Sequence, residues 1–163
     1  MKIYGVVGWK NAGKTGLMER LVTEITGRGI TVSTIKHAHH TFDVDQPGKD
    51  SFRHRTAGAT EVLLASKTRF ALMHELRDEE EPALADLLQR LSPVDLVLIE
   101  GYKRDAHPKI EAHRAVTGNP LLAPDDPSVR AVASDVPLDL DRPVLDLNNT
   151  EQVAGFILSE VGL

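Results

Sequence analysis

Apolar residues fall into short, sharply bounded runs along this chain. Ile3 to Val7 is rich in β-branched residues and stops at Gly8; beyond the next loop, Leu17, Leu21 and Ile25 recur at helical spacing. That pattern predicts strand, glycine loop, helix. Gly27 and Gly29 end the helix, and Thr31 to Ile35 reads as a second strand, so the first third is a right-handed βαβ unit. His37 to Lys49 is polar and turn-rich, broken by Pro47-Gly48, with a short helix expected from Asp50-Ser51. Glu61 to Ala65 and Phe70 to His74 read as strands of a hairpin, because Ser66-Lys67-Thr68 is a short connection. Glu80 to Leu91 reads as an amphipathic helix. Val94 to Ile99 is nearly continuously apolar and stops at Glu100-Gly101, as expected of a central parallel strand buried on both faces. Strands at Lys109 to His113, Val129 to Ala133 and Val144-Leu145 follow, and a terminal helix from about Glu151 has caps on offer at Asn148 to Thr150. The pattern is α/β and three-layered, with a mostly parallel sheet and an antiparallel hairpin excursion.

Length and charge narrow this picture. The 163 residues, 41% of them hydrophobic, suit one unit with one core, so a single domain over residues 1–163 is expected. With 19 Lys plus Arg against 24 Asp plus Glu, the formal net charge is −5, and the whole-chain field favours neither a nucleic acid nor an anionic membrane as partner. Any anion must therefore be bound by a local site. The absence of cysteine removes disulfides, thiolate metal sites and a cysteine nucleophile, and it fits a cytoplasmic location. Gly5 and Gly8 interrupt the first apolar run before it reaches the length of a signal-peptide core, so no targeting segment is expected.

One string carries specific chemistry. Gly8-Trp9-Lys10-Asn11-Ala12-Gly13-Lys14-Thr15 matches G-x-x-x-x-G-K-[ST] at every fixed position, between a predicted strand and a predicted helix. It predicts a P-loop NTPase fold in which Gly8 to Gly16 wrap the phosphates of a Mg-bound nucleoside triphosphate. Glycines let backbone N–H groups converge on phosphate oxygens, and the helix that follows adds about half a positive charge at its N-terminus. Lys14 supplies a mobile cation for the β and γ oxygens, and the Thr15 hydroxyl is placed in sequence to ligate Mg²⁺. Trp9 shields the nucleotide, faces a partner, or packs over a neighbouring side chain.

A P-loop site needs a second acidic residue on the metal side. Glu100 is the candidate, because the strand before it delivers its carboxylate to the carboxyl edge of the sheet, where ligands of α/β proteins bind. Asp43, Asp45 and Asp50 lie in the long loop after the second strand; Asp45 is the candidate for a metal-side role, with turn and cap formation as the alternative. His37, His39 and His40 form a local cluster, able to share a metal or to hydrogen-bond a substrate. Arg53, His54 and Arg55 suit a second anionic ligand or a solvated helix face.

Further residues beside the P-loop carry a family likeness. GWKNAGKT, then FDVDQPGKDS at Phe42 to Ser51 with AGA at Ala57 to Ala59, then LIEGYK at Leu98 to Lys103, resemble the MobB family, the molybdopterin-guanine dinucleotide biosynthesis adaptor proteins. The likeness runs in order and spacing from residue 1 to about residue 115. It implies a GTP-binding homodimer with weak hydrolysis, assisting the guanylyltransferase that attaches GMP to molybdopterin, within the P-loop class that includes nickel-insertion GTPases. It also implies that Gly8, Gly13, Lys14 and Thr15 bind phosphate and Mg²⁺ and that Glu100 sits at the second acidic motif; Lys14 and Glu100 are the expected catalytic residues. Asp45, Gly48, Lys49, Asp50 and Ser51 would form the loop signature, with Arg55 and Lys103 as further anion contacts. The N-K-x-D of many GTPases is lacking. Ser134-Asp135 follows a predicted strand, and the Asp135 carboxylate is placed either to accept from guanine or to close a turn.

The leading expectation is an accessory GTPase of molybdenum cofactor maturation, in which nucleotide orders residues 43–51 for a partner. Two rivals stand beside it: a small-molecule kinase that positions an acceptor with Arg53, Arg55 or Lys103, and a metallochaperone GTPase using His37, His39 and His40.

Overall fold

The computed structural model describes residues 1–38 and 42–163. In chain order its elements are β1 (Lys2–Val7), α1 (Lys14–Gly27), β2 (Val32–Lys36), α2 (Asp50–Thr56), β3 (Glu61–Ala65), β4 (Phe70–His74), α3 (Leu84–Gln89), β5 (Leu96–Glu100), β6 (Lys109–His113), β7 (Val129–Ser134), β8 (Val144–Asp146) and α4 (Thr150–Val161). By its contacts the chain divides into two units, Met1–His37 with Leu91–Leu163, and Ala38–Arg90.

The first unit is a six-stranded sheet in the order β2-β5-β1-β6-β7-β8, parallel at every pairing. β1 runs between β5 and β6, which bury every residue they contain, as strands covered on both faces must. Side chains alternate across the sheet. Tyr4, Val6, Leu96 and Leu98 pack with Leu17, Leu21 and Ile25 of α1 and with Val153, Ala154, Ile157 and Leu158 of α4. Those helical positions recur three or four residues apart, which turns one apolar stripe of each helix to the sheet. Val7, Val129 and Val132 point the other way and meet Leu121, Leu122, Ala123, Leu138 and Leu140, so loop segments and a 3₁₀ turn at Ala123–Asp125 form the layer there.

Thr31 and Asp95 explain why β2 and β5 begin later than their apolar runs suggest. The Asp95 carboxylate accepts from the Thr31 amide at 2.8 Å and hydroxyl at 2.6 Å, while the Asp95 amide donates to the Thr31 hydroxyl at 2.9 Å. Side chains serve these backbone groups, so the ladder starts at Val32 and Leu96. The exchange also holds the Asp95 carboxyl below its usual range, through its bonds from Thr31.

The second unit contains α2, the antiparallel pair β3-β4 and α3. The hairpin has the predicted boundaries, with Leu63 opposite Leu72 and Ala65 opposite Phe70. The helix expected from Glu80 is shorter, at Leu84–Gln89. Pro82 disfavours helix at Glu81, Ala83 is still extended at φ −63° and ψ 152°, and the acidic run before Pro82 adds like-charge repulsion.

Candidate functional site

Sheet order puts the site on β1. Strands to its left, β5 and β2, and to its right, β6 and β7, end at the same edge, and ligands of open α/β sheets bind where the chain direction across the sheet reverses. The loop leaving β1 is shaped by three left-handed residues: Gly8 at φ 142°, Asn11 at φ 66° and Gly13 at φ 90°. Gly13 is the N-cap of α1, no side chain caps that helix, and no acidic residue occupies its first turn. At α4, by contrast, the Asn149 side chain accepts from the Gln152 amide at 3.0 Å. The first-turn amides of α1, like those of α2 and α3, thus have no side-chain cap, and such an end can hold a phosphate.

Cations gather around this loop despite the negative net charge. The Lys14 ammonium donates to the Trp9 carbonyl at 2.8 Å, lying back over the loop. Burial pushes its amine below the usual lysine value; Glu100 acts in the opposite direction, and Lys103 and Lys36 add to the depression. Glu100 closes β5 with its side chain only 12% exposed, and Lys36 at the end of β2 approaches its carboxylate at 3.6 Å. The Lys103 ammonium sits 4.3 Å from the centre of the Trp9 ring, whose indole N–H donates to the Pro120 carbonyl at 2.7 Å. Trp9 is therefore packed between a lysine and a backbone carbonyl, the plainest of its sequence readings. Lys10, Thr15 and Gly16 are exposed, and Ala12 is buried.

The donor set fits Mg²⁺. A largely buried carboxylate, whose one ion pair among the described residues is a 3.6 Å contact, and an exposed hydroxyl on the first helical turn are oxygen donors of the kind a hard divalent cation takes, and would hold it beside phosphate oxygens.

The loop-signature residues belong to the second unit and are engaged with one another. The Arg55 guanidinium reaches Asp45 at 2.5 Å, Glu75 at 2.8 Å and Asp43 at 2.9 Å. The hydrogen bond from Arg55 is the main reason that the Asp45 carboxyl is held below its usual range, with the Ser51 hydroxyl helping. Arg55 and Asp45 thus satisfy each other in this structure, which is where it places the candidate anion contact and the candidate metal carboxylate. Lys49 is the N-cap of α2, Asp50 approaches Arg53 at 3.9 Å, and Ser51 is buried. Asp50, Arg53 and His54 line an open pocket with Thr56 and Ala57. His37 stacks on Tyr102 with ring centres 4.6 Å apart, while His39 and His40 lie outside the described residues. Among the described residues, no group of three or more His, Cys, Asp or Glu is arranged to hold a metal by itself.

On the β7 side, Asp135 accepts from the Ala115 amide at 2.9 Å and lines a pocket of about 530 Å³ with Ser134, Pro137, Leu138, Asp146 and Asn148. That volume is within the range of small-ligand sites, about 300–1,000 Å³. Sequence reasoning missed Lys36, Arg114 and the Asp146-Asn148 wall. Each stands at or just beyond the carboxyl end of a strand, so applying the edge rule to every strand would have found them.

The comparisons with known proteins agree with this geometry. Residues 3–135 match the family model described as molybdopterin guanine dinucleotide synthesis protein B. The chain is 46% identical over 153 residues to the molybdopterin-guanine dinucleotide biosynthesis adapter protein of Escherichia coli strain K12, covering 92% of this chain and 87% of that one. It is 42% identical over 158 residues to the protein so named from Haemophilus influenzae, covering 95% and 86%. Among solved structures, a MobB protein homolog from Bacillus stearothermophilus superposes with a TM-score of 0.71 at 28% identity over 99% of both chains. A molybdopterin-guanine biosynthesis protein B superposes with a TM-score of 0.74 at 26% identity, covering 97% of this chain and 99% of that one.

Proposed function

The chain belongs to the molybdopterin guanine dinucleotide synthesis protein B family, and from that premise we propose that it is a GTP-binding adapter of molybdenum cofactor biosynthesis, holding Mg·GTP on the loop between β1 and α1. The observation that carries this reading is the loop itself: left-handed Gly8 and Gly13, an uncapped helix end, and Lys14 folded over the loop in a cluster with Lys36 and Lys103. In this arrangement the α1 amides and Lys14 would bind phosphate, and Thr15 and Glu100 would hold Mg²⁺. The ion, when bound, neutralises charge on the β and γ oxygens. Lys14 stabilises the negative charge that grows as water attacks the γ-phosphorus and GDP leaves, and intrinsic turnover is expected to be slow. Molybdopterin or its guanylyltransferase is the proposed partner, and the cytoplasm the proposed site of action; no helix among the described residues is long and apolar enough to cross a membrane. Side-by-side titration with GTP, ATP and CTP at millimolar Mg²⁺ tests the reading. GTP is expected to bind at least about tenfold more tightly than either, the size of one good base hydrogen-bond set, and equal affinities would remove the guanine assignment.

We also propose that the protein is a homodimer joined through the β3-β4 hairpin. Leu63, Phe70 and Leu72 share one face of that pair by register and are 62%, 76% and 49% exposed in the single chain. A two-stranded sheet is marginal by itself, and an apolar face of this kind is stabilised by burial. Leu72→Asp is expected to convert a dimer into a monomer by sedimentation at micromolar protein. A wild-type monomer, or a dimer unmoved by Leu72→Asp, would refute the interface.

A further inference from the structure

Arg114 has no part in the motifs above, yet it lies against the phosphate-binding loop. It directly follows β6, whose parallel pairing with β1 matches Val7 to Glu111, so the chain leaves the sheet at the edge where the loop begins. A Cβ built on Gly13 would stand 2.9 Å from the Arg114 Nε, 3.4 Å from its Cζ and 3.4 Å from one Nη. The guanidinium is thus in contact with the last glycine of the loop, at the uncapped start of α1.

Its bonding is unfinished. The Nε atom is buried and has no hydrogen-bond partner, and among the described residues no carboxylate pairs with the side chain. Arg55 by comparison meets three carboxylates, and Arg142 meets Asp141 and the carbonyls of Asp126 and Val129. A buried N–H of a cation without an acceptor is costly, and such a group is kept where an anion completes it. Guanidinium suits phosphate better than other cations do, because its fork of donors matches two oxygens at once.

Strand order says which phosphate. Glu100 and Lys36 end strands on one side of β1, and Arg114 and Asp135 follow strands on the other. Neighbouring strands are about 4.8 Å apart, so the strand before Arg114 lies about one spacing and the strand before Asp135 about two spacings from β1, on the side away from the metal-side carboxylate. A nucleotide with its γ-phosphate toward Glu100 and its base toward Asp135 passes Arg114 with a phosphate nearer the ribose.

We propose that Arg114 is a phosphate-binding residue that grips a non-terminal, ribose-side phosphate of the bound nucleotide, an inference that rests on the reading of the β1-α1 loop as the nucleotide site. The test is competition by GTP and GDP against a fluorescent GTP derivative, on the unmodified protein and on Arg114→Ala, Arg114→Gln, Arg114→Lys and Lys14→Ala. Arg114→Ala and Arg114→Gln are expected to weaken GTP and GDP by the same factor, about ten- to a hundredfold, as for loss of a charged hydrogen bond. Arg114→Lys, which keeps the charge without the fork, is expected to recover part of the loss. A loss confined to GTP would move the contact to the γ-phosphate and overturn the assignment. Unchanged affinities in all three Arg114 variants, with Lys14→Ala still impaired, would leave Arg114 a packing residue and the nucleotide site intact. Should Lys14→Ala bind normally, the failure lies with the site itself.

Discussion

Lys14→Ala is expected to weaken Mg·GTP binding by at least about a hundredfold, the size of a charge-assisted bond lost from a partly dry site, and to stop hydrolysis while the fold survives. The structure separates the two effects. The ammonium's hydrogen bond is to the carbonyl of Trp9, within the loop, and burial disfavours its charge, so removing it costs the empty protein little. With a polyphosphate bound, the same ammonium would face several negative oxygens. The pH dependence has a definite sign. In the free protein the Lys14 amine is pushed below its ordinary value, and a bound polyphosphate raises it, so affinity should fall as pH rises through the free-protein value, where binding must take up a proton. Calorimetric titration measures the affinity and a circular dichroism melt the fold. Tight GTP binding by a folded Lys14→Ala protein would count against the site.

Gly8→Ala is expected to damage both fold and function. Gly8 has φ 142°, which side-chain-bearing residues rarely adopt, and an added Cβ would stand 2.4 Å from the backbone carbonyl oxygen of Ala112 in β6. Backbone in a central strand cannot retreat as a side chain tip can. Strain and displacement together should cost about 3 kcal/mol or more, read as a lower urea midpoint, and should remove nucleotide binding. Gly16→Ala is the matched control. Its Cβ would meet only an Arg20 Nη at 3.5 Å, and the position lies inside α1, so alanine should stabilise by up to about 1 kcal/mol. A Gly8→Ala protein as stable as the Gly16→Ala protein would contradict the close approach of loop and strand.

The parallel half of the fold was legible because each of its elements carries a local signal. The run Leu96 to Ile99 is apolar because both faces of β5 are buried, and the hairpin was legible because its connection is short. Local signals misjudged element ends, some set by a distant partner and one by a nearby proline. Thr31 reads as strand by composition, but Asp95, far away in sequence, takes its amide and hydroxyl. Glu80 reads as helix by charge and spacing, and Pro82 delays the start.

The site follows the same division. Gly8, Gly13, Lys14 and Thr15 fall within one eight-residue stretch, and their spacing alone suggests a phosphate-binding role. Glu100 was reachable through the rule that ligands meet strand ends. Nothing local in the sequence reveals that Asp43, Asp45 and Glu75 converge on the Arg55 guanidinium. Arg114 escaped notice because its neighbour Gly13 is a hundred residues away and comes close only through the pairing of β6 with β1.

The most direct measurement is equilibrium dialysis of the unmodified protein against Mg·GTP, with the only tryptophan, Trp9, as an internal fluorescent reporter inside the loop. One nucleotide is expected to be retained per chain at saturation, with Trp9 emission changing in step. A folded protein that retains no triphosphate at millimolar Mg²⁺ would contradict it.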